Sequence, residues 1–142
     1  MLTALAIVLV TVFALLASVH VYWALGGRIA LVAAIPEVGG KPSFQPGAVI
    51  TFAVACALFA CAVLVAAVAG FVEVPGSSNV VQWCTFALAL VLLLRAIGDF
   101  RLVGFFKRVR GSRFARHDSV IYSPLCLVLA VGVFTVAWHR GA

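Results

Sequence analysis

Apolar residues along this chain are gathered into four long runs, and most charged residues lie in the stretches between them. Each run has roughly 20 residues, the length that an α-helix needs to cross the hydrocarbon core of a bilayer. Lipid offers the backbone no hydrogen-bonding partners, so a spanning run forms a helix. The pattern predicts an all-α protein, a four-helix transmembrane bundle of up-down-up-down topology with helices at about 2–25, 48–70, 80–98 and 119–138.

The composition also indicates a membrane protein. Hydrophobic residues make up 65% of the chain and charged residues 10%, whereas charged residues reach about 25% in soluble domains. Four spans and their connections account for nearly all of the 142 residues, so we expect a single transmembrane domain over 1–142. The first run has no basic segment before it and is as long as a span, so we expect a permanent helix rather than a cleaved signal peptide.

Positive charge is concentrated in the connection between the third and fourth runs. Basic residues beside spans remain in the cytoplasm, so we expect the connections 26–47 and 99–118 to be cytoplasmic and both termini to lie outside. The net charge of +6 then indicates membrane lipids, including anionic head groups at the basic loop, rather than nucleic acid as partners. Association into a homo-oligomer or with a partner membrane protein is also compatible with this sequence. The basic residues of the second cytoplasmic connection are Arg101, Lys107, Arg108, Arg110, Arg113 and Arg116.

The connection 26–47 is longer than a turn between two helices needs. It contains a short apolar stretch, 29–35, enclosed by glycines and prolines. Two interpretations fit this pattern: a short interfacial or re-entrant segment packed beneath the bundle, and a plain flexible loop.

The four cysteines do not form the pattern of a metal or redox site. Cys56, Cys61, Cys84 and Cys126 contain no C-x-x-C pair and have no histidine at metal-ligand spacing, so we expect no metal and no cofactor. Cysteine in an apolar helix behaves as a small hydrophobic residue. A disulfide between Cys61 and Cys84 is also compatible with the sequence, because both residues lie toward the predicted external side.

Polar residues inside or beside the spans gather at the predicted cytoplasmic end. Arg95 and Asp99 are four residues apart, so they share one face of a helix that includes both. An unpaired charge at this depth costs several kcal/mol, and we expect Asp99 to pair with Arg95 or Arg101. We further expect one polar pocket to bring together His20, Arg95, Asp99 and Asp118.

Proline interrupts the start of the fourth run. Pro124 has no backbone N–H, so it either begins the helix or bends it. We therefore expect Ser123 to lie at a break, with Asp118, Ser119 or Ser123 as the helix cap.

Two functions fit the polar cluster. In the first, a pocket at the cytoplasmic side binds a small amphipathic or lipid-like ligand, and isomerase-like acid/base chemistry could take place there. The alternative is a non-catalytic accessory or structural membrane subunit, in which the same residues form an interhelical ion-pair clasp. Whether the protein is an enzyme stays open. The candidate catalytic residues are His20, Asp99 and Tyr122, and the candidate ligand-binding residues are Trp23, Arg95, Arg101, Asp118 and Ser123.

Three blocks of the sequence resemble the signature of a known family. They are 20–27, then 95–101 with 104–107, and finally 114–118 leading to 122–126. In this order they are similar to blocks of an uncharacterised bacterial family of small four-helix integral membrane proteins, a domain of unknown function. The resemblance covers almost the full chain. It implies one common design and no particular reaction, and with the charge bias it leads us to expect a multi-pass protein of the bacterial cytoplasmic membrane.

Overall fold

Helices dominate the computed structural model, which describes residues 1–38, 41–75 and 77–140. The elements in chain order are α1 (Leu2–Ala24), α2 (Leu31–Ala34), β1 (Glu37–Val38), β2 (Lys41–Pro42), α3 (Ala48–Val68), α4 (Ser78–Ile97), α5 (Arg113–His117), a π-helical turn (Asp118–Tyr122) and α6 (Ser123–Arg140).

Four of these helical segments are long and apolar enough to cross a membrane. They are α1, α3, α4 and the continuous segment formed by α5, the π-helical turn and α6, with mean hydropathies between 2.1 and 2.8. The predicted four-helix, all-α fold is therefore confirmed, and the four spans indicate a multi-pass membrane protein.

The four long helices pack as two close pairs. α1 runs along α3, and α4 runs along α6, while α6 also contacts α1 and α3. Phe13, Val65 and Val133 are each at most 1% exposed at the centre of this packing. In the segment that ends with α6, 39% of the most apolar stretch is buried inside the protein, against 22% in each of the other three spans. It is therefore the most enclosed of the four spans.

Two side chains tie the helices together at the end that holds both termini. The Gln82 amide donates to the carbonyl oxygen of Ala137 over 2.9 Å and so links α4 to α6. The guanidinium of Arg140 donates to the carbonyl oxygen of Ala67 in the last turn of α3. Because the last carbonyls of a helix lack partners within the helix, Arg140 acts as a C-terminal cap.

The connection after α1 is folded rather than a plain loop. It contains α2 and the two short antiparallel strands β1 and β2, and both α2 and β1 pack against α5. The indole N–H of Trp23 donates to the carbonyl oxygen of Ile29 over 2.8 Å, and the hydroxyl of Tyr122 donates to that of Ala33 over 3.3 Å. The connection is thus attached to the same end of the bundle as the start of α5.

The fourth span begins earlier than the sequence predicts. We expected a helix from 119, but α5 begins at Arg113, and the hydroxyl of Ser112 caps it by accepting from the N–H of Ala115 at 3.0 Å. None of the predicted caps, Asp118, Ser119 and Ser123, therefore caps the helix. A π-helical turn replaces regular α-helix directly before Pro124, and the N–H of Ser123 donates to the carbonyl oxygen of Asp118. A widened turn next to a proline is consistent with the missing backbone donor.

Candidate functional site

The loop 98–112 folds back onto the end of α4 through two glycines. Gly98 and Gly104 have φ angles of +95° and +88°, values that L-amino acids with a Cβ rarely adopt. A Cβ on Gly98 would overlap the backbone of Val103, and one on Gly104 would overlap the backbone of Ile97 and Gly98. This close approach lets the N–H of Phe105 donate to the carbonyl oxygen of Ala96 over 2.9 Å, which satisfies one of the last carbonyls of the helix.

Asp99 closes the first turn of this loop. Its Oδ1 accepts from the backbone N–H groups of Arg101, Leu102 and Val103 at 2.9, 2.7 and 3.0 Å. These bonds, that of Val103 first, hold the pKa of the exposed Asp99 carboxyl below its usual value, because they favour the charged form. Asp99 is therefore a turn residue at the surface.

Asp118 lies at the centre of a buried cluster that joins three parts of the chain. Its side chain is 0% exposed. Oδ1 accepts from Nη2 of Arg95, on the last turn of α4, at 2.9 Å. Oδ2 accepts from Nζ of Lys107 at 3.0 Å and from the backbone N–H of Gly104 at 2.8 Å. One carboxylate thus connects α4, the loop 98–112 and the fourth span.

Lys107 is the second buried charge in this cluster, with 3% of its surface exposed. Its Nζ donates to Asp118 Oδ2, to the carbonyl oxygen of Gly104 at 2.9 Å and to Oγ of Ser119 at 2.7 Å. An ammonium group has three N–H donors, so these bonds satisfy all of them. Lys107 is held in place and has no donor left for a ligand.

Two polar atoms beside the cluster are buried without a hydrogen-bond partner among the described residues. They are Nη1 of Arg95 and Oγ of Ser123. Ser123 is completely buried and follows the π-helical turn that contains Asp118. Buried polar groups are usually satisfied, so each of these two atoms would gain a hydrogen bond from a small polar partner.

The structure brings together only part of the predicted cluster. Arg95 and Asp118 form the ion pair at its centre, and Ser123 follows the π-helical turn that begins with Asp118. The prediction that Asp99 pairs with Arg95 or Arg101 is wrong, because Gly98 ends α4 and the carboxylate turns to backbone N–H groups instead. Asp99 and Arg95 therefore do not share a helix face.

His20 also lies apart from this cluster. Its Nδ1 is 2.8 Å from the carbonyl oxygen of Leu16, and its ring packs edge-on against Trp23. His20 is thus held by residues of its own helix, α1, which packs on α3 and α6. The prediction that it joins Arg95 and Asp118 is wrong.

The other predicted site residues occupy the periphery. Tyr122 bonds to Ala33, and its ring lies against those of Phe114 and His117. Trp23 bonds to the first connection, and the Arg101 side chain is exposed. Roles of these residues in binding or catalysis stay predictions.

Lys107 was not expected in the site, because the sequence places it among the cations of a basic loop. Two signals could have found it. Asp118 needs strong partners if it is buried, and Gly98 and Gly104 mark a loop that can fold back closely on a helix.

The described residues contain neither a cluster of metal-ligating side chains nor a disulfide. Within 1–38, 41–75 and 77–140, no three His, Cys, Asp or Glu side chains come together as a metal site requires. All four cysteines are free thiols, including Cys61 and Cys84.

A family model described as "Protein of unknown function (DUF3995)" matches residues 13–133. This range contains Arg95, Lys107 and Asp118 together with all three blocks of the resemblance. No curated protein and no solved structure matches the chain.

Proposed function

The chain belongs to the DUF3995 family, and on that premise we propose that it is an accessory or structural membrane subunit whose buried ion pairs form an interhelical clasp. The clasp consists of Arg95, Lys107 and Asp118. One observation carries the proposal: the Asp118 carboxylate is 0% exposed and is bonded to a cation through each of its oxygens.

A clasp explains this geometry better than a catalytic pocket does. A catalytic carboxylate has to reach its substrate, whereas Asp118 has no accessible surface. The two candidates for moving a proton, His20 and Asp99, lie outside the cluster. Replacing a buried ion pair with apolar residues is often neutral, but removing one partner leaves an uncompensated charge. The clasp therefore specifies how α4 and the loop pack on the fourth span.

The charge distribution supports an orientation with the clasp toward the cytoplasm. Nine of the ten Lys and Arg residues belong to the end of the bundle that holds the clasp, and Arg140 lies at the opposite end. Basic residues beside spans are retained in the cytoplasm, which supports an orientation with both termini outside. The nine are Arg28, Lys41, Arg95, Arg101, Lys107, Arg108, Arg110, Arg113 and Arg116.

Two matched carboxylate-to-amide variants test the clasp. Asp118→Asn leaves Lys107 and Arg95 without their counter-charge, so the melting temperature in lipid nanodiscs should fall clearly and trypsin should cut the loop 98–112 faster. Asp99→Asn retains an oxygen at an exposed turn and should change both readouts far less. Equal behaviour of the two variants would refute the clasp.

A small amphipathic ligand remains the second candidate function, supported by the unpartnered atoms Arg95 Nη1 and Ser123 Oγ. On that alternative, Asp118→Asn would leave the melting temperature unchanged and would remove a lipid-like molecule that copurifies with the wild-type protein. Mass spectrometry of both preparations separates the two functions.

A further inference from the structure

A groove lined by basic residues lies next to the clasp and shares only Lys107 with it. This basic groove is formed by Lys107, Arg110, Ser112, Arg113, Arg116 and Ser119, and encloses about 550 Å³. Its volume is in the range of pockets that bind small molecules.

Three of the four cations of the basic groove have no acidic partner. Lys107 is already bonded to Asp118, whereas Arg110, Arg113 and Arg116 form no ion pair with an acid in the described parts of the chain. Glu37 is the acid on the strand that packs on α5, and it too is without an ion pair there. The groove therefore carries uncompensated positive charge.

The groove also lies at the depth of lipid head groups. The 18 residues of α6 extend over about 27 Å at 1.5 Å per residue, close to the roughly 30 Å of the hydrocarbon core. Residues that precede α6, such as Arg113 and Arg116, therefore reach the head-group region.

Apolar side chains flank the groove on both sides along the chain. Phe105 and Phe106 precede Lys107 and are 40% and 61% exposed, while Val120 and Ile121 follow Ser119 and are 70% and 48% exposed. A lipid presents its phosphate next to its acyl chains, so it matches cations that lie beside exposed apolar residues. A free anion would contact only the cations and would gain nothing from the exposed apolar residues.

We propose that the basic groove binds the phosphate of an anionic lipid head group, with Arg110, Arg113 and Arg116 as its donors. A guanidinium group binds phosphate through two parallel N–H donors, and Arg113 and Arg116, three residues apart on a helix, lie on one side of it. The inference rests on the membrane placement of the proposed function and adds a specific lipid class to it.

The test uses the full chain in phosphatidylcholine nanodiscs with a rising fraction of phosphatidic acid. Phosphatidic acid bound per protein is measured by native mass spectrometry for the wild type and two double variants. Arg113→Gln with Arg116→Gln should weaken the apparent affinity about tenfold, a loss of about 1.4 kcal/mol. Arg28→Gln with Arg108→Gln removes the same charge from exposed positions outside the groove and should change the apparent affinity less than about twofold.

Three results would overturn the proposal. Equal losses in both double variants would mean that only overall charge attracts the lipid. No loss in either would exclude the groove, and binding of inorganic phosphate as tight as that of phosphatidic acid would identify a free-anion site. None of these results bears on the clasp, which is tested separately by the melting temperature of Asp118→Asn. The lipid-binding proposal and the clasp proposal can therefore fail independently.

Discussion

Lys107 and Asp118 are separated by eleven positions in the chain, yet Nζ of the first lies 3.0 Å from Oδ2 of the second, and both side chains are buried. Neither residue belongs to α4, but the same carboxylate holds Arg95 at the end of that helix. The loop between them is therefore a structural part of the bundle. Its geometry decides whether α4 and the fourth span are fixed to each other.

The two-glycine contact should be intolerant of any side chain. Gly98→Ala and Gly104→Ala both strain a positive φ and also place a Cβ within the facing backbone, so the loop should move and Lys107 should leave Asp118. Gly111→Ala is the matched control, because Gly111 has a φ of +96° with open space around its Cβ position. Gly111→Ala should lower the free energy of unfolding by only about 1–2 kcal/mol, the cost of holding a residue with a Cβ at a positive φ.

Thermal unfolding in nanodiscs measures this difference. Gly98→Ala and Gly104→Ala should lower the melting temperature well beyond Gly111→Ala. If all three variants melt together, the close approach of the two glycines does not stabilise the protein.

The turn closed by Asp99 should depend on pH in acid. The folded-state pKa of this carboxyl lies below its usual value, so its contribution is fully present above the unfolded pKa of about 3.9. The contribution is lost as the pH falls through the lower folded pKa. Protonation should therefore release the amides of Arg101, Leu102 and Val103.

Carbon-13 NMR of the Asp99 carboxyl, with amide shifts of these three residues, follows the release. Asp99→Ala should remove the pH response of the amides, and Asp99→Asn should do so while retaining an acceptor. A carboxyl that titrates at or above the usual pKa would contradict the bonding seen here.

The orientation is open to a direct labelling test. In a variant whose native cysteines are replaced, Arg108→Cys in the basic loop should resist a membrane-impermeant maleimide in intact cells. Glu73→Cys, in the connection between α3 and α4, should react. The reverse pattern would place the clasp on the outer side.

Much of the fold could be predicted because it depends on local composition. Apolar runs of spanning length form helices in lipid wherever they occur, so α1, α3 and α4 were expected within about two residues of their observed ends. The start of the fourth span was less predictable, since Ser112 caps a helix that begins within the basic loop.

The site was harder to predict because it depends on one residue that ends a helix. The spacing of Arg95 and Asp99 predicts a shared face only if α4 continues to Asp99, and Gly98 ends it. Lys107 then reaches Asp118 through a loop whose path depends on two positive φ angles. Contacts of this kind are not encoded in helical periodicity. The meeting of Arg95 and Asp118 in one cluster was expected from the cost of burying charge, but Asp99 was wrongly expected as the partner of Arg95 or Arg101.

The central claim, that Lys107 and Asp118 act together as a clasp, is tested most directly by a double-mutant cycle on the free energy of unfolding in bicelles. Asp118→Asn should cost about 3–5 kcal/mol, because it leaves Lys107 as an uncompensated buried charge, whereas Lys107→Met should cost less, because Asp118 keeps Arg95 as a partner. The double variant should cost less than the sum of the two single variants by at least about 1.5 kcal/mol. The second substitution then removes a group that has already lost its partner. Costs that add to within about 0.5 kcal/mol would contradict the clasp.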